Sequence, residues 1–260
     1  MTIEFTEPLL RALEGQRHSA TAVTKRTRFL DLLKASPGEQ VLDVGCGSGS
    51  FCRSLASQVT PGGRVIGVDR EVAAIDLATR LSSMEAPATL VFAQADGNDL
   101  PFDDQSFDAV ACISVLEFCE HPPAVLAEMR RVLRPYGRLL VANADEDTRV
   151  FNGHDRELGR RITRAIADRG RDPWLARRLA SMLIAAGFQL EQEAVLVDLE
   201  REFAPGSSGY THAHVWQEHL VHGAGISAQD YDRWLAELEA CTQDGSYCYS
   251  VVTYAYLATR

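Results

Sequence analysis

At 260 residues, 46% of them hydrophobic and 24% charged, the chain is long enough to bury a core without disulfides or a structural metal. Its formal net charge of −10 argues against an extended nucleic-acid or anionic-membrane surface, since either needs clustered Lys and Arg. That charge leaves room for a small anionic substrate held by one or two arginines; Lys25 and Lys34 are the only lysines.

The N-terminus, MTIEFTEPLL, carries acids where a signal peptide has basic residues, and no run reaches the roughly eighteen apolar residues of a membrane span. The six cysteines, Cys46, Cys52, Cys112, Cys119, Cys241 and Cys248, form no CxxC and no zinc-knuckle spacing with His. A cytoplasmic protein with reduced thiols and no metal site is expected.

Strand-like runs alternate with helical patterns up to about residue 145, as in a parallel sheet with crossover helices. Strands are expected at Gln40–Val44, Arg64–Val68, Thr89–Ala93, Ala109–Ile113 and Gly137–Ala142. The apolar stripe Val125, Leu126, Met129, Val132 and Leu133 predicts a helix over Pro122–Arg134, ended by the turn Arg134-Pro135-Tyr136-Gly137. The rhythm then changes. A polar stretch covers Arg149–Gly170, within which Arg156–Arg171 reads as a solvated helix face that could also steer an acidic substrate. Asp172-Pro173 opens a helix closed by Gly187, with Trp174, Leu175, Leu179, Met182 and Leu183 on its apolar side.

A strand over Phe188–Leu199, a turn at Pro205–Gly209, a helix over Tyr210–Val221, a capping box at Ser227 and a strand over Tyr247–Leu257 complete the chain. The two late strands are expected as a hairpin-like edge, with the helices between them over the carboxyl end of the sheet. The resulting organisation is an N-terminal helical cap (1–37), a ligand-binding core (38–145) and substrate-side insertions plus two strands of the same sheet (146–260), in one structural domain.

The segment Asp43-Val44-Gly45-Cys46-Gly47-Ser48-Gly49-Ser50 carries the most information. A buried strand runs into glycines at alternate positions and then into a helix N-terminus, so backbone can approach a ligand and free N–H groups face it. Two details depart from a dinucleotide fingerprint: Ser50 stands where its last glycine would be, and Asp43 puts a carboxylate where a pyrophosphate would be repelled. A cationic ligand suits Asp43 better. Strand 64–68 is followed by Asp69, and the third strand by Asp96-Gly97, Leu100-Pro101-Phe102 and Ser106-Phe107-Asp108. Carboxylates at three successive strand ends, in register with a glycine turn, form one set.

This set resembles motif I and its companions in class I S-adenosylmethionine-dependent methyltransferases. The resemblance covers residues 38–142 and is nearest the ubiquinone- and menaquinone-biosynthesis and bacterial natural-product branch. It departs at Phe118, where that branch often has His, and at Tyr136, where it has Gly. It implies a Rossmann-like α/β fold: a seven-stranded, mostly parallel sheet flanked by helices, with an antiparallel C-terminal strand and a helical lid. It also implies S-adenosylmethionine as cofactor, contacted by Asp43, Gly45, Cys46, Gly47, Gly49, Asp69, Arg70, Asp96, Gly97 and Ser114. The implied activity is methyl transfer to O, N or C of a small molecule in secondary metabolism, by a monomer or homodimer without nucleic-acid or membrane partners. Arsenite-type or quinone-type transfer, and a non-catalytic cofactor-binding subunit, stay open as alternatives. The arsenite reading would need Cys52, Cys119 and Cys248 to converge.

A methyl transfer needs alignment, exclusion of water and, for a protonated acceptor, a base. Candidates for the base are His214 and His219 in the histidine cluster of residues 210–222, Glu117 after the fourth strand, and His154 in the following insertion. The cluster predicts His214 beside Glu218 and His219 beside His222 on one helix; the same spacing also suits surface histidines. Gln16, Arg17 and His18 belong to the N-terminal segment expected to close or cover the pocket. Trp174, Trp216 and Trp234 read as packing residues.

Overall fold

The computed structural model describes residues 6–82 and 89–260; the first five residues of the expected N-terminal cap lie outside them. Among these residues seven strands form one sheet: β1 (Gln40–Val44), β2 (Arg64–Asp69), β3 (Leu90–Gln94), β4 (Phe107–Ile113), β5 (Leu133–Phe151), β6 (Gln189–Glu200) and β7 (Tyr249–Thr259). Their order is β3-β2-β1-β4-β5-β7-β6. The first five are parallel, β7 lies antiparallel between β5 and β6, and β6, at the edge, runs in the direction of the first five.

Helices cover both faces of the sheet, which is why its central strands are continuous apolar runs. On one face α5 (Pro122–Val132) and α7 (Leu175–Ala185) bury Leu126, Met129, Leu179 and Leu183 completely. On the other, α2 (Ala20–Leu33) and α3 (Ser50–Val59) bury Phe29, Leu33, Leu55 and Val59, and α4 (Val72–Ser82) packs on β2 and β3. Burying such side chains contributes about 1.5–3 kcal/mol each, enough to hold the strand ends in fixed register. A third cluster, including Phe151, Ile162, Trp234 and Tyr249, sits among the insertions, where α6 (Arg156–Ala167) meets α9 (Ala228–Gln243). There α6 turns Leu158, Ile162 and Ile166 inward.

Four local expectations are corrected. The turn at residues 134–137 lies inside β5, as a register shift on pairing with β4, with Tyr136 at φ 63°. At its other end β5 runs on to Phe151, because pairing with β7 continues to Asp145 and resumes at Val150. The helix expected from Asp172 begins at Leu175; the Asp172 carboxylate accepts the Trp174 N–H at 3.0 Å, and Trp174 is 55% exposed instead of packed. The helix expected over Tyr210–Val221 divides into α8 (Ser208–Val215) and a π-turn (His219–Gly223), so the predicted histidine faces do not form.

Candidate active site

The order of strands reverses between β1 and β4, where crossovers leave in opposite directions and a crevice opens at the carboxyl ends. A cavity of about 420 Å³ occupies that crevice and continues under the insertions.

Its near end is the glycine turn. Gly45, Gly47 and Gly49 have φ of 75°, 53° and 77°, but they are not all required for the same reason. A Cβ on Gly45 would lie 2.2 Å from a Val115 methyl, and one on Gly49 would lie 2.5 Å from the Phe92 ring. A Cβ on Gly47 would meet nothing within 4 Å, and Gly47 lines the cavity. Gly47 therefore keeps space for a ligand, whereas the other two let the protein pack. The turn is tied to β2 by Gly45 N–H and Cys46 N–H on the Val68 carbonyl (2.8 and 2.9 Å) and by Gly47 N–H on Asp69 Oδ2 (2.9 Å).

Asp43, Asp69 and Asp96 line this one cavity, together with Gly45, Cys46, Arg70, Gly97 and Ser114. Gly49 does not; it caps α3 behind the turn. Asp43 is buried, and burial raises its pKa to about 6 against the opposing hydrogen bond from the Cys52 thiol at 3.1 Å. Burial also raises Asp69, opposed by the N–H groups of Glu71 and Gly47. Asp96 accepts the backbone and side-chain N–H of Asn98, both at 2.8 Å. A buried carboxylate whose hydrogen-bond partner is a thiol favours a cationic ligand, and Gly47 leaves the space for one. These residues fit the cationic end of S-adenosylmethionine.

The N-terminal segment closes the cavity, with α1 (Glu7–Gln16) contributing Leu10, Leu13 and Gln16 and the following residue Arg17. Ionic and polar latches hold this segment down. Glu14 takes a bond from Ser48 of the glycine turn and pairs with Arg53 at 2.5 Å; Gln16 donates to Ser208 at 2.9 Å; Lys25 pairs with Asp198 at 2.5 Å.

The far end depends on an irregularity of β5. Between Asp145 and Val150 the strand leaves its register with β7, and this bulge carries Glu146 and Arg149 to the cavity wall. Arg149 donates to both Glu146 oxygens at 2.8 Å and to the Tyr249 hydroxyl. Arg169, just past α6, joins through Nη1 on Glu146 at 2.8 Å and lies 4.6 Å above the Trp216 ring. Burial opposes ionisation of Glu146, but Arg149 and then Arg169 more than offset it and hold its carboxyl well below the ordinary range. The side chains of Arg149, Glu146 and Arg169 are 2%, 8% and 5% exposed, so Arg169 is no part of a solvated face.

Of the four predicted base candidates, the structure brings only Glu117 to this cavity. Burial pushes Glu117 up to about 8, and Asn143 donates to it. His214 bonds the Tyr210 carbonyl and stacks on Tyr210, His219 approaches the Ala165 carbonyl at 3.3 Å, and exposed His154 faces Asp244. None of these three lines the cavity. His212 does, from the same cluster. Its Nδ1 meets the Ser208 carbonyl at 2.8 Å, which leaves Nε2 as the available nitrogen. Burial, then Arg149 and Arg169, push its pKa well below the ordinary histidine value. Of the three thiols an arsenite site would need, Cys119 alone reaches the cavity. Among the described residues no group of three His, Cys, Asp or Glu could hold a metal, and no helix is long and apolar enough to cross a membrane.

A family model for a methyltransferase domain matches residues 35–171, more than half of the chain. The chain belongs to this methyltransferase family. It is 34% identical over 231 residues to an uncharacterized 37.1 kDa protein in transposon TN4556 of Streptomyces fradiae, covering 88% of this chain and 65% of that one. It is also 36% identical over 112 residues to a nocamycin O-methyltransferase of Saccharothrix syringae, covering 43% and 40%. The chain thus spans less than two thirds of the length of these relatives. A SAM-dependent methyltransferase structure from Aquifex aeolicus shares the fold, with a TM-score of 0.58, 15% identity and coverage of 96% and 99%.

Sequence reasoning missed Glu146, Arg149, Arg169 and His212 as site residues. The signals were indirect: the histidine cluster contains His212, the arginine-rich stretch 156–171 contains Arg169, and the polarity of residues 145–149 within an apolar strand marks a bulge only once the partner strand is known.

Proposed function

We propose that this methyltransferase-family chain transfers a methyl group from S-adenosylmethionine to an oxygen, nitrogen or carbon of a small molecule in secondary metabolism. The observation that carries this reading is the single cavity joining Gly47 and the three acids to a second, insertion-lined compartment. Asp43 would take the amino end of the cofactor, Asp69 the ribose hydroxyls and Asp96 the adenine amino group. When bound, the cofactor supplies a methyl group on a positively charged sulfur, activated for in-line displacement, and S-adenosylhomocysteine is left.

The chain's own residues do the rest. The latched N-terminal segment excludes water and holds the acceptor in line, and such ordering can lower a barrier by about 7–11 kcal/mol. His212, neutral at pH 7 with Nδ1–H donated to the Ser208 carbonyl, offers Nε2 as a proton acceptor. Glu117, protonated at the same pH, positions the acceptor by donating a hydrogen bond. The acidic form of Glu117 and the basic form of His212 thus coexist near neutrality. The nocamycin relative, an O-methyltransferase by name, supports transfer to an oxygen of the acceptor.

Calorimetry with S-adenosylmethionine and with NAD, followed by methyl-transfer assays on phenols, amines and arsenite, tests this function. Binding of the sulfonium and transfer to a phenol or amine is expected. Binding of NAD alone would overturn the cofactor, and transfer to arsenite alone would overturn the acceptor class.

A further inference from the structure

The far end of the cavity holds more positive charge than the protein neutralises. Two guanidiniums, Arg149 and Arg169, share the single carboxylate of Glu146, while Asp198 is paired with Lys25. Glu200, also near Tyr249, spends its carboxylate on the Ser208 and Gly209 N–H groups and does not line the cavity, and the remaining lining groups here add no compensating charge. His212 is neutral, Glu117 is protonated near pH 7, and burial raises the Tyr249 phenol well above its ordinary value.

Hydrogen bonding is incomplete at the same place. Arg169 commits Nη1 to Glu146 and to the Ile166 carbonyl (2.6 Å), but its buried Nε has no partner among the described residues. Trp216 Nε1 and Thr253 Oγ1, on two other residues lining this end, are also buried without partners. Leaving a buried donor unmet, above all on an ion, is unfavourable enough that native sites rarely do so without a ligand to receive it.

We propose that the methyl acceptor carries a carboxylate, and that Arg169, steadied by the Trp216 ring and by Glu146, is the residue that binds it. The inference rests on the methyl-transfer function proposed above and names the class of its acceptor. A monoanion matches the one excess charge, whereas a phosphate dianion would face repulsion from Glu146 and Asp198 on the same wall. Arg149 is already bidentate on Glu146 and bonded to Tyr249, so its role is to anchor Glu146. Arg17 and Arg26 also line the cavity, with the N-terminal segment at the glycine-turn end, and would be the residues to meet the carboxylate of a bound cofactor.

The test is calorimetry on the full chain, with and without S-adenosylhomocysteine. The probes are benzoate, 4-hydroxybenzoate, cinnamate and hexanoate, each against its neutral amide, with inorganic phosphate as the dianion. At least one carboxylate is expected to bind about tenfold or more tighter than its amide. Arg169→Gln is expected to abolish that preference, and Arg169→Lys to recover part of it, with S-adenosylhomocysteine affinity unchanged in both. The comparison of carboxylate with amide on the unsubstituted protein stands even if the variants misfold. Equal binding of acids and amides, preference for phosphate, or a tenfold loss of S-adenosylhomocysteine affinity in Arg169→Gln would each overturn the proposal. Failure of S-adenosylhomocysteine to bind the unsubstituted protein would instead overturn the cofactor assignment, and the carboxylate titration without it would still decide the role of Arg169.

Discussion

The near end of the cavity is assembled from strand ends of a parallel sheet, so its acids stand where β-sheet register puts them. The far end is assembled from a bulge in β5, the residues beyond α6 and one face of α8, and its charges are held by one another. At the near end backbone geometry positions the carboxylates, and burial leaves Asp43 and Asp69 with raised pKa values in wait of a cation. At the far end ion pairing positions the guanidiniums, and the surplus is positive. A site that joins them can hold a sulfonium donor and an anionic acceptor side by side.

The largest expected effect breaks the far end. Glu146→Gln strands two buried guanidiniums and should lower the free energy of urea unfolding by about 3–5 kcal/mol. Asp96→Asn, an exposed strand-end acid, should change it by only about 0.5 kcal/mol. Equal costs would erase the contrast between ion-paired and register-positioned charges. Next, His212→Gln should lower kcat by about 10²–10⁴-fold on a hydroxyl acceptor while leaving cofactor affinity intact; unchanged turnover would remove it as the base.

Two glycines sharpen the near end. Gly45→Ala forces a methyl against Val115 and should cost about 1–3 kcal/mol of stability. Gly47→Ala should cost only about 1 kcal/mol for its left-handed backbone but should weaken S-adenosylmethionine binding, because the new methyl projects into the ligand space. If the two variants unfold alike and bind alike, the distinction between a packing glycine and a ligand glycine fails. Asp69→Ala should weaken cofactor binding by about 2 kcal/mol, through loss of charge-assisted hydrogen bonds.

The last way to break the comparison uses pH instead of a contact. Glu117 has a folded pKa of about 8 against an ordinary 4.5, so the folded state holds a proton that the unfolded state releases. Its contribution to stability is therefore complete below about 4.5 and is lost as the pH rises through about 8. Glu117→Gln should flatten the fall of unfolding free energy between those values. An unchanged slope would mean that Glu117 is ionised in the folded protein.

Expectations failed where long-range pairing overrode local punctuation. Pro135 and Gly137 read as a turn, yet they lie within β5 because Leu133 pairs with Phe107 and Arg138 with Ala109 around a shift of register. The histidine cluster pointed to the right segment but the wrong members. His212 and His214 stand two residues apart on α8 and so face different ways, with His212 toward the cavity, while the break at Trp216 takes His219 out of that helix. Trp174 has the period of a packed residue and instead stands outside, where its indole N–H meets Asp147.

By itself the sequence determined the parallel sheet, the glycine turn and the three acids at successive strand ends, because apolar period and strand-end position are local and repeat along the chain. Tertiary structure alone decided which arginines are buried, which histidine faces the cavity and where β5 bulges. Those depend on partners up to about a hundred residues away, such as Tyr249 for Arg149. A buried charge is defined by what surrounds it, and neighbouring letters do not carry that.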